Sequence, residues 1–484
     1  MKQKIYLLAL VLVIGLAFAV GAQEPASKGS EVISTFAYPD LKWSVPEIGR
    51  EVQREVLPNG LTIYLMEDHR LPLFNVTALI HCGDAYLPIE KMAIPELAGT
   101  VMRTGGTTSI AADSLNALLE MIGGTLELNV GYDNGTATLD IMAKDLELGL
   151  RLMADVLRNP AFPEDKLDLA KEQKKTDIKR RNDSPAPILS REFNHLIYGD
   201  HPSGRILEWQ YVKPISRQDL ADFHQAYFAP NNIMLGITGD FDPTRIKELV
   251  TKYFGDWPKK AITLPEISKV TAAPKPGVYE FYKDISQANL RIGHLGISRD
   301  NPDRYAVAVM NYILGGGSFT SRLTTKVRSD EGLAYNVGST FQSDSRDLGT
   351  FFAYVQTKLE TTHKAIRLML NEIERIRTSP VGDEELKNAK DGYINRFVFN
   401  FTTPQEVVDQ LMRIEFNNRP PDLLKKYIDN IRAVTKEDVQ RVAQKYLKPE
   451  DLSFVIVGKP EGFEKPLDEF GPVIKMDVKE PVVE

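Results

Sequence analysis

With 484 residues, 43% of them hydrophobic, the chain can bury more than one core and lies well beyond the size that depends on disulfide or metal staples. Its 59 basic and 66 acidic residues leave a net charge of -7, so no broad cationic face is available, which excludes nucleic acid and anionic lipid as primary partners. A single cysteine, Cys82, excludes an internal disulfide; in the apolar stretch 74–82 it reads as a small buried hydrophobe, with a thiol nucleophile as the rarer alternative.

The first thirty residues, MKQKIYLLALVLVIGLAFAVGAQEPASKGS, carry Lys2 and Lys4, an apolar run over 5–20, and Val20, Gly21 and Ala22 at its end. That pattern predicts a signal peptide, 1–22. The run falls short of the ~20 apolar residues of a membrane span, and an uncleaved anchor is the alternative. An exported, disulfide-free chain fits a bacterial periplasm, with no stable membrane insertion. Residues 23–45 form a polar lead-in.

Alternating strands follow in LTIYLMEDH and FNVTALIHC, then helices over 94–103 and 112–122. The stretch TLELNVGYDNGTATLDIMA predicts a hairpin turning at Asp133, Asn134 and Gly135. Helices over 146–158, 163–182 and near 217–227 precede a strand at IMLGITGD. Residues 257–277, rich in Pro, Lys and Ala, read as a linker, and the tail 467–484 reads as frayed.

The plan then repeats. ISRQDLADFHQAYFAPNNIMLGITGD, 215–240, aligns without gaps on VTKEDVQRVAQKYLKPEDLSFVIVGK, 434–459. Asp219 meets Asp438, Tyr227 meets Tyr446, Pro230 meets Pro449 and Gly239 meets Gly458; the same offset of 219 pairs Leu167 with Leu386 and Ala170 with Ala389. A sustained internal repeat decides architecture before any motif does. The expected fold is α+β, two tandem homologous α/β sandwich domains at 46–256 and 278–466, each with its helices grouped on one face.

Two such copies behind a signal peptide resemble the pitrilysin/insulinase family of zinc peptidases and its relatives, the mitochondrial processing peptidase subunits. LPNGLTIYLMEDHRLP, GDHPSGR, and SFTSRLTTKVRSDEGLAYNVGS carry the resemblance, which spans about 50–458. It implies the LuxS/mitochondrial processing peptidase-like metallohydrolase fold, as half of a clamshell. The family's inverted zinc motif, HxxEH, places two histidines on one helix face with a glutamate between them to take a proton from metal-bound water. In the matching stretch IPELAGTVMRTGGT, with Gly106 and Thr107 as the family's Gly-Thr pair, the histidine positions hold Leu97 and Val101 and the glutamate position holds Thr100. No histidine lies between His81 and His195, so no shift of register restores the pair. Anchoring on Asp183, Ser184 and Pro185 puts the distal ligand position at Thr176 or Asp177. The histidines, His69, His81, His195, His201, His224, His294 and His363, are scattered, and packing or capping is expected of His201 and His224. The resemblance therefore implies a metal-free member, inactive alone, with no metal ligand and no cofactor in this chain and zinc in a partner subunit.

In two-subunit members of the family the metal-free partner supplies an arginine and a tyrosine, and RLTTKVRSDEGLAYNV makes these Arg328 and Tyr335. An arginine can grip a peptide carbonyl or carboxylate, and a tyrosine hydroxyl can donate to an oxyanion. The plain alternative is a surface charge and a strand aromatic. Gly315, Gly316 and Gly317 lack a following GK[ST] and read as a flexible turn rather than a phosphate loop. The expected function is thus a non-catalytic subunit that pairs with an HxxEH-bearing homologue and receives peptide or unfolded protein. A structural or peptide-binding protein, and an autonomous metallopeptidase with other ligands, are the rivals.

Overall fold

The computed structural model describes residue 32 and residues 44–484 apart from 272, 273 and 344. The expected signal at 1–22 and nearly all of the lead-in lie outside the described residues. Both copies of the repeat fall in the compact unit Pro46–Glu484. Among the described residues no helix is long and apolar enough to cross a membrane.

Each copy builds a six-stranded mixed sheet. The first contains β1 (Gln53–Val56), β2 (Thr62–Glu67), β3 (Leu73–Ile80), β4 (Thr125–Val130), β5 (Gly135–Met142) and β6 (Ile233–Gly239), in the order β1-β2-β6-β3-β5-β4. The second contains β7 (Gly277–Tyr282), β8 (Gln287–Leu295), β9 (Ala334–Phe341), β10 (Thr350–Lys358), β11 (Ser453–Gly458) and β12 (Val473–Met476), in the order β12-β7-β11-β8-β10-β9. Five strands correspond one to one, and in both sheets the last long strand of the copy inserts parallel to the first and antiparallel to the second. Alternation of side chains drives the pleat: β4 and β5 bury every second residue. Their hairpin closes at Val130↔Gly135 across residues 131–134, so Asp133 and Asn134 lie in the turn as expected while Gly135 already belongs to β5. The tail departs from the expected fraying, because β12 adds to β7 as a parallel edge strand.

The helices of the first copy are α1 (Ile94–Thr104), α2 (Ala112–Met121), α3 (Leu146–Arg158), α4 (Glu164–Arg180), α5 (Pro185–Tyr198), α6 (Arg217–Tyr227) and α7 (Pro243–Phe254). Those of the second are α8 (Arg304–Asn311), α9 (Thr362–Thr378), α10 (Asp383–Phe397), α11 (Pro404–Phe416), α12 (Leu423–Ala433) and α13 (Lys436–Tyr446). The repeat reaches down to the caps. Ser216 and Asp219 close a capping box on α6, and Thr435 and Asp438 close the equivalent box on α13, each satisfying two backbone N–H groups left over at a helix start. One large core runs from Leu57 to Trp257 and a second from Val278 to Leu467.

Helices do not stay on one face, and this corrects the expectation of a simple grouping. α5 and α11 are exchanged between the copies. Ile188, Leu189, Phe193 and Ile197 of α5 pack on Tyr279, Phe281, Val455 and Val457 of the second sheet. In return, Val407, Val408, Met412 and Phe416 of α11 pack on Tyr64 and Leu79 of the first sheet. Gly236 makes the second contact possible: a Cβ there would lie 2.6 Å from Val408 and 2.7 Å from Met412. Polar clasps flank both helices. Arg54 and Tyr64 converge on Glu415 of α11, His81 stacks on Phe416 at 3.7 Å, and the Arg291 guanidinium lies 5.8 Å from the Phe193 ring. No helix is expected over 185–198 from the sequence, and the amphipathic spacing there names no destination.

Candidate functional site

α1 begins at Ile94 with Pro95 in its first turn and carries its apolar stripe inward. Leu97 and Val101 belong to that stripe and are buried in the core that also holds Leu167 and Ala170 of α4. Thr100 turns back on its own helix, where Oγ1 donates to the Glu96 carbonyl at 3.0 Å. On α4, Thr176 does the same to Glu172 at 2.9 Å. Between the two helices lies a lysine: Lys174 Nζ is 2.6 Å from Glu96 Oε1 and 3.5 Å from Asp177 Oδ2. A zinc ion does not fit this donor set. The motif positions offer two hydrocarbon side chains and a hydroxyl already donated, and the one nearby carboxylate pair faces an ammonium group. Among the described residues no three His, Cys, Asp or Glu side chains gather as ligands.

The histidines have other partners. His201 caps a short turn by accepting the Ser203 N–H at 3.2 Å, and His224 Nε2 donates to the Leu157 carbonyl at 2.8 Å. His294 bridges the Leu295 carbonyl and the Lys448 N–H, and His363 meets Glu469 at 2.9 Å. Burial lowers His224 to about 4 and His81 to about 4, which keeps both neutral. Cys82 is fully buried and burial pushes its thiol up, so it packs rather than reacts.

The structure brings Arg328 and Tyr335 together. Arg328 lies in a π-helical turn, Thr324–Asp330, a form found mostly as short pieces at functional sites. Gly332, at φ +64°, reverses the chain into β9, where Tyr335 is the second residue. The guanidinium carbon of Arg328 is 4.9 Å from the Tyr335 ring and 4.7 Å from the ring of Phe319, a residue the motif comparison did not single out. Phe319 is 68% and Tyr335 85% exposed, so neither ring is there to fill a core. Phe319 follows Ser318, whose φ of +52° is a costly left-handed turn for a serine and aims the ring outward. The only hint in the sequence is an aromatic two residues after a glycine run, and a phenylalanine in such a place reads by default as core.

The frame beneath this clamp is rigid. Arg322, with its side chain 6% exposed, makes a bidentate pair with Glu385 at 2.7 and 2.8 Å, and this guanidinium holds the Glu385 carboxyl below the usual range. Thr324 Oγ1 donates to the Val337 carbonyl, and Ser339 Oγ to Asn311 Oδ1. The glycine run is packed rather than loose, since a Cβ on Gly315 would lie 2.3 Å from Ser339 N and one on Gly317 2.6 Å from the Tyr312 ring. A half-buried guanidinium between two exposed aromatic rings can grip a carbonyl or carboxylate of an extended chain and stack its side chains.

Paired α+β sandwiches of one plan, each lending a helix to the other, define the class: a two-copy peptidase-fold chain built on two six-stranded sheets. Residues 101–209 match the family described as insulinase (peptidase family M16), and residues 214–393 match the peptidase M16 inactive domain. An uncharacterized zinc protease of Mycobacterium tuberculosis is 25% identical over 352 residues, covering 70% of this chain and 78% of that protein. The crystal structure of a peptidase M16 inactive domain from Pseudomonas fluorescens superposes with a TM-score of 0.76 at 25% identity, over 84% of this chain and 98% of that one. The periplasmic protease PqqL from Escherichia coli shares the fold, with a TM-score of 0.71 at 15% identity over 88% of this chain and 47% of its own length. The chain belongs to the insulinase, or M16, peptidase family.

Proposed function

We propose that this protein is the non-catalytic subunit of an exported, periplasmic zinc peptidase. It pairs with a homologue that bears HxxEH and zinc, and it contributes Arg328 and Tyr335, with Phe319 beside them, to the binding of peptide or unfolded protein. The copies at 46–256 and 278–466, joined by the linker 257–277, form half of the chamber. One observation carries the reading: the metal positions are sealed into a core at Leu97 and Val101 while the two rings flanking half-buried Arg328 stay exposed. The match to an inactive M16 domain and the named zinc proteases among the relatives support it, as does the coverage of about half of PqqL, the span expected of one arm of a clamshell.

Mixing the chain with its zinc-bearing homologue and comparing peptide cleavage for wild type and Arg328→Ala tests the reading. Loss of a charge-assisted contact of about 1.5–3 kcal/mol lowers kcat/KM by roughly 10- to 150-fold. Equal rates would leave a structural or peptide-binding role instead.

A further inference from the structure

A cavity of about 1070 Å³ opens between the copies, walled by α5, α8, α10, α11, α12, the loop around 342–348 and linker residues 266–269. Its volume lies at the upper end of the range for small-molecule sites. The wall is basic in a chain whose net charge is negative. Among its described lining residues are the cations Lys269, Arg299, Arg304, Arg346, Arg413 and Arg419, against the carboxylates Asp133, Glu266 and Asp347.

Arg419 lies 3.7 Å from Asp300 and Arg346 3.8 Å from Asp133, whereas Arg299 and Arg304 converge without pairing off. Arg304 and Arg419 both donate to the backbone carbonyl of Arg299, at 3.3 and 3.4 Å. Arg299 itself is held by Asn417, with Nη1 on Oδ1 at 3.0 Å and Nη2 on the carbonyl at 3.2 Å. Its Nε is buried and donates to no acceptor among the described residues. No described carboxylate forms an ion pair with Arg299 or Arg304; the neighbouring Asp303 is taken by Arg441 and Lys445 on α13. Arg413, one turn from Asp409 on α11, lies close enough to favour that carboxylate's charge but forms no ion pair with it among the described residues. Two of the acids are already engaged: Asp347 accepts the N–H groups of Val270 and Leu348, and Asp133 faces Arg346 at 3.8 Å. Like charges gathered around one carbonyl repel each other, and a multivalent anion is the group that relieves the repulsion while meeting the fork geometry of guanidinium. Tyr132, Tyr305 and Tyr393 supply the flat apolar walls that a small organic anion needs beside its charged end.

We infer that this cavity is a binding site for a small multivalent oxyanion, a phosphate- or carboxylate-bearing molecule, held by Arg299, Arg304 and Arg413. The site is separate from the Phe319–Arg328–Tyr335 clamp, and its occupancy does not depend on any peptidase partner.

Calorimetry on the full chain alone, with pyrophosphate as the phosphate probe and citrate as the carboxylate probe, each in buffer matched in ionic strength with sodium chloride, tests it. Saturable binding of either probe, at least about tenfold weaker in Arg304→Gln and in Arg413→Gln, is the expected result, and the probe that binds identifies the chemistry. Arg413→Gln alters an exposed side chain that makes no side-chain hydrogen bond among the described residues, so it keeps the comparison meaningful if Arg304→Gln unfolds. Heats no larger than those of sodium chloride, or equal affinity in wild type and a folded variant, would overturn the inference.

Discussion

The exchanged helices tie the two copies into one cooperative unit, and Phe193→Ala measures that tie. Phe193 belongs by sequence to the first copy, yet its ring is fully buried against the second sheet, edge-on to Phe352 at 5.6 Å and 5.8 Å from the Arg291 guanidinium. Truncating a fully buried phenylalanine costs about 3–5 kcal/mol through lost transfer energy and the cavity left behind. Losing the aromatic pair and the guanidinium contact places the variant toward the upper end of that range. Urea unfolding read by two probes gives the assay. The three tryptophans, Trp43, Trp209 and Trp257, all precede the second copy, so fluorescence reports on the first part of the chain while far-ultraviolet dichroism reports on both copies. Coincident transitions, shifted together by the substitution, are expected. A loss below about 1 kcal/mol, or a fluorescence transition that separates from the dichroism, would refute the coupling.

Thr435→Ala removes the side-chain half of the α13 capping box and is expected to cost about 0.5–2 kcal/mol, with Ser216→Ala similar on α6; thermal melts of the two variants check this, and no change in either would contradict the shared cap. His224 has a folded-state pKa of about 4 against its ordinary 6.5, so the unfolded chain takes the proton first as pH falls. Its contribution, of order 3 kcal/mol, is fully present above about 6.5 and is lost between there and 4. Stability measured against pH for wild type and His224→Gln should therefore converge on acidification, and parallel curves would reject the assignment. A graft of Leu97→His, Thr100→Glu, Val101→His and Asp177→Glu is expected to bind zinc tightly only when Lys174→Ala is added, because the ammonium group lies against both nearby carboxylates. Equal affinity with Lys174 retained would show that the lysine does not obstruct. Phe319→Ala removes one of the two rings holding Arg328, and with an exposed cation–π contact worth about 0.5–1 kcal/mol, KM for peptide in the assembled pair should rise about two- to fivefold. An unchanged KM would make the ring incidental.

Local signals in the sequence were sufficient for several elements, though the helices α5 and α7 were not among those expected. The Asp-Asn-Gly turn sets the β4–β5 hairpin, the Ser216 and Thr435 positions start their helices, and the offset of 219 maps α4, α5 and α6 onto α10, α11 and α13. What spacing could not supply was destination. The stripe of Ile188, Leu189, Phe193 and Ile197 has the same period whichever sheet it meets, and the close approach of α11 at Gly236 is likewise a fact of three-dimensional packing. The edge strand β12 was missed for a similar reason: a short apolar run near a terminus gains its pairing from β7, not from itself. At the candidate site, the residue types at 97, 100 and 101 were legible, whereas Lys174 between the helices and Phe319 over Arg328 are facts of three-dimensional placement.

The most direct measurement is the metal content and peptide hydrolysis of the purified chain alone, after equilibration in zinc buffer and desalting. With two aliphatic side chains at 97 and 101 and a lysine beside Asp177, no stoichiometric zinc and no hydrolysis are expected until a zinc-bearing homologue is added. One tightly held zinc per chain together with unaided peptide cleavage would contradict the assignment of this protein as a metal-free subunit.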